Sequence, residues 1–488
     1  MKNVISYTTL IDIYAKSGLE DAAENATKLL KTMQKLYESG DHSVKPNTIC
    51  FSAVISAWAR SGKSGAAKKA ERILQEMEES GVDPDVITFT TVMEAWANSR
   101  EKGALQSIER LFQRMLHMSS QGNSEVAPNA VTYNILLKAI GRSGDKNSTE
   151  KAKSTLKHMQ YSRDTVNSKP SVTTYGTIMN IWAKSGEKNA AENAESILQE
   201  MLKQVKNGDE SITPNRICFN TVISAWAKSG KTEAPKRSER ILQQMQKLFE
   251  AGNQDCKPDV ISYTSVLEAW ANSGADGALL AVEEHLKHMI EMANNGNFDV
   301  APNTVTFNVV LKTLVKSAEE GKVYKAQNIL RQMKEMSKLG KQRAGPSVHT
   351  YDQIIRACAF TRGDNKVKRD AFNAACDTLK LIRLTKGIRP SMYTYPAMFK
   401  ACDQLMTAKE DWSDAEKVFR LCCEDGMLSA LVLNNVKKIV SNEVMGRMLG
   451  LEGGFKNIKI QMLPREWSRN IDGKSSIKRQ QRNRTKQK

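Results

Sequence analysis

Small polar side chains recur at regular intervals along this 488-residue chain. One series consists of Thr8, Ser52, Thr90, Asn134, Gly176, Asn220, Thr264 and Asn308, with glycine once in place of the polar residue. A second series always follows a proline: Asn47, Asp85, Asn129, Ser171, Asn215, Asp259, Asn303 and Ser347. Amides and hydroxyls donate and accept hydrogen bonds, and carboxylates accept them. Both series are therefore typical of recognition through hydrogen bonds rather than of bond-making chemistry.

Two further series keep the same spacing. An aliphatic residue usually precedes the first polar series by three positions: Ile5, Ile49, Ile87, Val131, Ile217, Ile261 and Val305. A cation usually follows it by eight positions: Lys16, Arg60, Arg142, Lys184, Lys228 and Lys316. An apolar clamp, a hydrogen-bonding reader and a phosphate-binding cation are what the recognition of single-stranded RNA requires. A solvated helix face with capping residues at its start would explain the polar series, but not the aliphatic and cationic ones.

Constellations typical of catalysis or metal binding are absent from the sequence. Glu284, His285 and His288 stand together without a further ligand nearby, so we expect a helix surface there. There is no phosphate-binding loop, no nucleophile elbow and no zinc-deaminase signature. We therefore predict no catalytic residue, no metal, no cofactor and no small-molecule substrate.

Composition narrows the class of partner. The net charge is +18 and the pI is about 9.4, which favours a polyanion. Mean hydropathy is −0.48 and no long apolar run occurs, which excludes a membrane span. The eight cysteines form no CxxC pair, which indicates a reducing compartment.

The spacing arises from an internal repeat. Nine of the twelve prolines stand in Pro-Asn, Pro-Asp or Pro-Ser pairs, and each pair closes one repeat. The predicted repeats 1 to 10 span residues 4–47, 48–85, 86–129, 130–171, 172–215, 216–259, 260–303, 304–347, 348–391 and 392–430. Asn, Asp and Ser are preferred N-caps, and a Ser-Gly pair about fourteen residues later is typical of a helix end. Each repeat thus predicts a helix A followed by a helix B, and such pairs must stack to bury their apolar faces.

Helix A has two predicted faces. The second, fifth, ninth and thirteenth residues of a repeat share one face, and the fourth, seventh, eighth and eleventh face the core. Tryptophans at 58, 96, 182, 226 and 270 share one place, where we expect core packing rather than base stacking. Cys422 and Cys423 are also expected in the core, and Trp467 is expected to pack onto the last helices.

The phrases at 126–138 and 300–312 are 174 residues apart, which indicates that a block of four repeats was duplicated.

The repeat resembles the pentatricopeptide repeat family over residues 1–430. The resemblance rests on V-x-[ST]-[YF]-[NTS] at the start of helix A, a methionine near the end of helix B and the closing Pro-[DN]. The spacing does not fit tetratricopeptide repeats. The units here are longer than usual, with extra residues between the helices and after the helix B methionine. The resemblance implies an all-α, right-handed superhelical solenoid that binds single-stranded RNA with one base per repeat.

In this family the fifth and last residues of a repeat resemble a two-letter base code. It implies adenine for Thr8/Asn47, Thr90/Asn129 and Thr264/Asn303, guanine for Ser52/Asp85, and uracil for Asn220/Asp259. It implies cytosine for Asn134/Ser171 and Asn308/Ser347, and weakly adenine for Gly176/Asn215. Asp352/Ser391 matches no clear combination. The target is therefore predicted as 5′-A-G-A-C-(A)-U-A-C-3′.

The resemblance also implies a place in organellar RNA processing, stability or translation, in a mitochondrion or plastid, with other RNA-processing proteins as further partners. No targeting peptide precedes the first predicted helix. The alternative is a protein–protein interaction scaffold built on the same solenoid. Residues 431–470 are predicted to cap the array, and 471–488 to form a basic disordered tail, because seven cations and no acid lie between 474 and 488.

Overall fold

The computed structural model of the protein describes residues 3–99, 101–161, 168–338, 344–406, 412–449 and 462–471. Within these residues there are 22 α-helices and no strand. None of the described helices is both long and apolar enough to cross a membrane. The predicted basic tail lies outside the described residues except for residue 471, and part of the predicted capping segment does too.

The chain divides into two compact bodies. The N-terminal body runs to Ser229 and includes Leu248–Cys256; the C-terminal body contains Gly230–Lys247 and the described residues from Lys257 onward. The first contains α1 (Val4–Ser17), α2 (Ala22–Glu38), α3 (Thr48–Ser61), α4 (Ala66–Glu79), α5 (Val86–Ser99), α6 (Ala104–Ser120), α7 (Ala130–Ser143), α8 (Ser148–Tyr161), α9 (Val172–Ser185), α10 (Ala190–Lys206) and α11 (Arg216–Ser229).

The C-terminal body contains most of α12 (Ala234–Glu250) and the helices that follow it. These are α13 (Val260–Ser273), α14 (Ala278–Asn294), α15 (Thr304–Lys316), α16 (Lys322–Lys338), α17 (Val348–Ala359), α18 (Asn365–Leu384), α19 (Thr394–Leu405), α20 (Ser413–Glu424), α21 (Ala430–Ile439) and α22 (Asn442–Leu449). Within each body successive helix pairs stack side by side. The predicted all-α solenoid architecture is confirmed in each body.

The start and end of helix A follow from its sequence. In α3, the Asn47 side chain accepts a hydrogen bond from the backbone N–H of Cys50 at 3.1 Å, which satisfies one of the unpaired donors of the first turn. The helix ends at Gly62, whose φ of 63° lies in the left-handed region that glycine adopts without strain. The Pro-Asn junction and the Ser-Gly pair thus delimit a fourteen-residue helix.

The extra residues after helix B have a definite structure. Helix α4 of the short repeat 2 has 14 residues, whereas α2 has 17 and is followed by a 3₁₀ turn. Such turns lie at His42–Val44, Ser124–Val126, Glu210–Ile212, Gln254–Cys256 and Phe298–Val300. The last residue of each is buried, so the extra segment is anchored to the core before the next junction.

The core contains one aromatic per helix A and, in repeats 1 to 8, one methionine per helix B. The buried aromatics are Tyr7, Phe51, Phe89, Tyr133, Tyr175, Phe219, Tyr263, Phe307, Tyr351 and Tyr395. The buried methionines are Met33, Met77, Met115, Met159, Met201, Met245, Met289 and Met333. Burying a side chain of this size contributes about 1.5–3 kcal/mol. Because neither helix can bury its stripe alone, the stack of pairs is the stable unit.

The tryptophans lie in the core, as expected. Those at 58, 96, 182 and 226 are buried, and Trp270 is half-buried. Several indole N–H groups donate to helix B of the preceding repeat: Trp58 to Thr27, Trp96 to Glu71, Trp226 to Glu195 and Trp270 to Glu239, at 2.8–2.9 Å. These four bonds each orient a large ring at an inter-repeat contact, which leaves that ring unavailable to stack on a base.

The phrase at 463–470 packs against the last helices. The Trp467 ring lies edge-on to Phe419, with their centroids 6.2 Å apart. The backbone N–H of Leu428 donates to the Trp467 carbonyl at 2.7 Å, and that of Asn470 to the Gly426 carbonyl at 2.9 Å. The expectation that Trp467 packs there is confirmed. Cys422 is buried and Cys423 is half-buried.

Candidate nucleic-acid interface

The second residue of helix A is exposed in both bodies. In the N-terminal body these residues are Ile5, Ile49, Ile87, Val131 and Ile217, and in the C-terminal body they are Ile261 and Val305. All seven keep 55–69% of their surface in contact with solvent. Single exposed apolar residues are ordinary in folded proteins. Here they recur at one place in the A helices of seven repeats, which makes this face a candidate interaction surface.

The fifth residue of helix A lies deeper. Thr8, Ser52, Thr90, Asn134, Gly176, Asn220 and Asn308 are half-buried, and Thr264 and Asp352 are buried. Burial raises the pKa of the Asp352 carboxyl, although hydroxyls of Ser391 and Thr394 donate to it at 2.6 and 2.5 Å. The fifth residue therefore makes its contacts in the cleft between one helix A and the next.

The third residue of helix A completes the site and was missed by the sequence analysis. From repeat 2 onward it is Cys50, Thr88, Thr132, Thr174, Cys218, Ser262, Thr306, Thr350 or Thr394, always with a hydroxyl or thiol and almost fully buried. The available signal was the constant hydroxyl or thiol at this place.

In repeat 2 this residue bridges the two predicted base-reading residues. The Thr88 hydroxyl donates to Asp85 Oδ1 at 2.7 Å, and it also lies 2.8 Å from the Ser52 hydroxyl. Asp85 is the last residue of repeat 2, and Ser52 is its fifth. The structure thus brings together two side chains that are 33 positions apart in the sequence, through a hydroxyl that belongs to repeat 3.

Similar bridges occur elsewhere. The Thr174 hydroxyl donates to Asn134 Oδ1 at 2.8 Å and lies 3.1 Å from the Ser171 hydroxyl. The Thr306 hydroxyl lies 2.7 Å from that of Thr264 and 3.3 Å from Asn303 Oδ1. In repeat 1 the contacts are made by two different groups of Cys50: its Sγ lies 3.1 Å from the Thr8 hydroxyl, and its backbone N–H donates to Asn47. The Thr8 hydroxyl also donates to the Val4 carbonyl of its own helix at 2.6 Å.

Other repeats lack the bridge. The Thr90 hydroxyl donates to the Val86 carbonyl of its own helix at 2.7 Å, although the Thr132 hydroxyl bonds Asn129. Asn308 Oδ1 is buried and has no hydrogen-bond partner in the described part of the chain. Gly176 has no side chain to offer, and its partner Asn215 caps the next helix by accepting from a backbone N–H.

Asn220 lies in the N-terminal body and Asp259 in the C-terminal body. In the C-terminal body Asp259 caps α13 by accepting from the N–H of Ile261 and Ser262, each at 3.0 Å. Ser347 caps α17 by accepting from the N–H of Thr350 at 3.3 Å. The predicted base-reading residues at the ends of repeats therefore also cap the next helix, as expected if these positions were only N-caps of a solvated helix face.

The predicted phosphate-binding cations fall into two groups. All six are exposed. Arg142 donates to the Ala97 carbonyl and Lys316 to the Ala271 carbonyl, each at 2.9 Å, and Lys16 pairs with Asp12 at 2.7 Å. Burial, together with the neighbouring Lys312, lowers the pKa of Lys316. Among the residues that the structure describes, Arg60, Lys184 and Lys228 contact no carboxylate, so their charges face solvent.

The histidines of α14 make structural contacts. His285 Nε2 lies 2.9 Å from Glu239 Oε1, which also accepts from Trp270, and the hydrogen bond from His285 lowers the pKa of Glu239. The His288 ring lies 6.2 Å from that of Tyr263. In the described ranges no group of three or more side chains is arranged to hold a metal ion.

Known proteins share this repeat. A pentatricopeptide repeat domain model matches residues 35–99, 72–143, 160–229 and 240–317, and a pentatricopeptide repeat model matches residues 5–35. No curated protein matches the chain in sequence.

Among solved structures, two of the pentatricopeptide repeat protein PPR10 are similar, one of them a triple cysteine-to-serine variant, each in complex with an 18-nt psaJ RNA element. In both the identity is 19%, the match covers 99% of this chain and 60% of that chain, and the TM-score is 0.38. The chain thus spans less than two thirds of PPR10. The repeat models match more than half of the chain, and the protein therefore belongs to the pentatricopeptide repeat family.

Proposed function

We propose that this protein binds single-stranded RNA along the exposed face of its A helices, with one base per repeat. The observation that carries the proposal is the exposure of all seven aliphatic residues at the second place, directly beside half-buried or buried hydrogen-bonding residues at the fifth. Membership of the pentatricopeptide repeat family supports RNA as the partner.

The chemistry of the face suits an unpaired base. An exposed isoleucine or valine offers dispersion contacts to the flat surface of the base. The fifth and last residues offer hydrogen bonds to its edge, and the solvent-facing cations Arg60, Lys184 and Lys228 offer charge to the phosphates. No catalytic step enters the proposal.

The proposed target is 5′-A-G-A-C-(A)-U-A-C-3′, read with the N-terminus towards the 5′ end. Family membership further supports a role in organellar RNA processing, stability or translation, in a mitochondrion or plastid. A protein–protein scaffold is the other outcome of the test. A scaffold would bind its partner without competition from single-stranded RNA, whereas an RNA binder loses affinity steeply as salt is raised.

The test changes one predicted base-reading residue within the N-terminal body. Ser52→Asn beside Asp85 should move the preference at the second base from guanine to uracil, by roughly tenfold or more in relative affinity. Binding of wild type and variant is measured with four RNAs that differ only at the second base. A parallel set varied at the fourth base, read by Asn134 and Ser171, is the control and should show no change. The same ranking at the second base in both proteins would contradict the base code. Failure of wild type to bind any of these RNAs would contradict the function.

A further inference from the structure

We propose that, where its hydroxyl reaches the fifth residue of the preceding repeat, the buried third residue of helix A sets the hydrogen-bond polarity with which that repeat reads its base. It acts as a positioning residue: its single hydroxyl proton decides whether the fifth residue of that repeat donates to the base or accepts from it. The proposal rests on the RNA-binding function proposed above.

Repeat 2 shows one setting. Asp85 is a carboxylate, which only accepts hydrogen bonds, so the Thr88 hydroxyl must be the donor across the 2.7 Å contact between them. Thr88 then has no proton left for Ser52, 2.8 Å away. The Ser52 hydroxyl must therefore donate to Thr88. Its remaining lone pairs accept, so Ser52 presents an acceptor to the base.

Repeat 7 shows the other setting. Asn303 is neutral, and its Oδ1 lies 3.3 Å from the Thr306 hydroxyl, beyond the usual range of about 2.5–3.0 Å for such a bond. The contact between Thr306 and Thr264 is 2.7 Å. The Thr306 hydroxyl is therefore better placed to donate its hydrogen bond to the Thr264 oxygen. The Thr264 hydroxyl is then free to donate to the base. The last residue of the repeat thus controls the fifth through the buried hydroxyl between them.

These two settings match two base edges. The Watson–Crick edge of guanine offers the donors N1–H and N2–H₂, which require acceptors such as Ser52 and the second oxygen of Asp85. The edge of adenine offers the acceptor N1, which requires a donor such as Thr264. The polarity set by Thr88 and Thr306 therefore discriminates the two purines, although neither residue need touch the base.

Thr88→Val removes the hydroxyl and keeps the branched shape of the side chain. Binding is measured with four RNAs, 5′-A-N-A-C-A-U-A-C-3′, with each base in turn at N. We expect the preference for guanine over adenine to fall about tenfold, the usual worth of a hydrogen bond to a charged group. Thr88→Ser, which retains the hydroxyl, should restore the wild-type ratio.

The matched control is Thr132→Val. Thr132 occupies the same buried place and bonds the capping residue Asn129 at 3.2 Å, but Thr90 bonds its own helix instead. This variant should lower the unfolding temperature as Thr88→Val does, while the base ranking at the third position stays unchanged. A double-mutant cycle adds a second readout: Asp85→Asn should move the second base from guanine towards adenine in wild type, and about tenfold less so in the Thr88→Val background.

Retention of the guanine preference by folded Thr88→Val overturns the proposal, as does an equal loss of affinity for all four RNAs, which would assign the hydroxyl to helix capping alone. If wild type binds none of the four RNAs, the proposed RNA-binding function is wrong, and the proposed role of the third residue is wrong with it.

Discussion

Repeats 3 and 4 resemble repeats 7 and 8, and their phrases at 126–138 and 300–312 are nearly the same, 174 residues apart. The two pairs of repeats share one set of contacts and differ in another. The hydrogen bonds that hold the scaffold are the same in the two copies. Trp96 donates to Glu71 and Trp270 to Glu239 at 2.8 Å in both cases. Arg142 and Lys316 each donate at 2.9 Å to a carbonyl at the end of the preceding helix A.

The proposed base-reading residues form different hydrogen bonds in the two copies. In the first copy Asn134 accepts from Thr174, and Thr90 bonds only its own helix. In the second copy Thr264 is bridged to Thr306, and Asn308 Oδ1 is buried without a partner in the described residues. The two copies therefore keep the same scaffold hydrogen bonds, whereas the hydrogen bonds of the proposed base-reading residues depend on which hydroxyl of the next repeat lies within reach.

The largest effect should come from the scaffold. Trp96→Ala should lower the free energy of unfolding by about 3–5 kcal/mol, because a buried indole and its bond to Glu71 are lost. Trp270→Ala should cost less, since Trp270 is only half-buried. Urea unfolding of both variants measures the difference. Equal losses would show that the two copies are packed alike.

Two pairs of cations distinguish a contribution to RNA binding from a contribution to folding stability. Arg60→Ala with Lys184→Ala should reduce the salt slope of RNA binding by about 1.4, since each contact to a single strand contributes about 0.7. Arg142→Ala with Lys316→Ala should reduce it similarly and also lower the free energy of unfolding, because both side chains hold helix-end carbonyls. Affinity titrations at several salt concentrations and urea unfolding measure the two effects. If the salt dependence of RNA affinity were unchanged in both double variants, these cations would only be solvated and would not contact phosphates.

The bridge in repeat 4 should matter for base choice, and its counterpart in repeat 8 should not. Thr174→Val removes the donor to Asn134, so selectivity at the fourth base should fall about tenfold. Thr350→Val should leave selectivity at the eighth base unchanged, because the Thr350 hydroxyl contacts Ser347 rather than Asn308. Binding to RNAs varied at each position measures both. A fall at the eighth base would mean that the two repeats read alike.

The smallest effect concerns acid stability. The bond from His285 holds the pKa of Glu239 below its ordinary value of 4.5, so the ionised carboxylate is favoured in the folded state. Its contribution is present above pH 4.5 and is lost as the pH falls through the lowered pKa. Glu239→Gln should therefore flatten the loss of stability below pH 4.5. Thermal unfolding of both proteins across pH 3–7 measures this loss. If wild type and Glu239→Gln lost stability equally below pH 4.5, Glu239 would not contribute to acid stability.

Much of the fold follows from local sequence rules. The capping residue Asn47 and the left-handed Gly62 delimit α3, and period-3.6 spacing places Phe51 and Trp58 in the core. The same spacing predicts an exposed second residue, such as Ile49. These features are set within one helix, and the sequence of that helix is enough to predict them.

The hydrogen-bond state of the site does not follow from such rules. A hydroxyl three residues after an Asx or Ser cap reads as a capping residue, and Thr88, Thr132 and Thr174 all fit that description. Only the distance between stacked helices shows that Thr88 and Thr174 also reach the fifth residue of the preceding repeat while Thr132 does not. Likewise, spacing predicts Arg142 as a cation on the face but not its bond to the Ala97 carbonyl.

Selection of bound RNAs from a random single-stranded pool, followed by sequencing, tests the central claim most directly. The protein should enrich RNAs that contain 5′-A-G-A-C-A-U-A-C-3′, with the weakest preference at the fifth base because Gly176 offers no side chain there. Recovery of RNAs without a common sequence, or of a common sequence unrelated to this one, would contradict the base-by-base account.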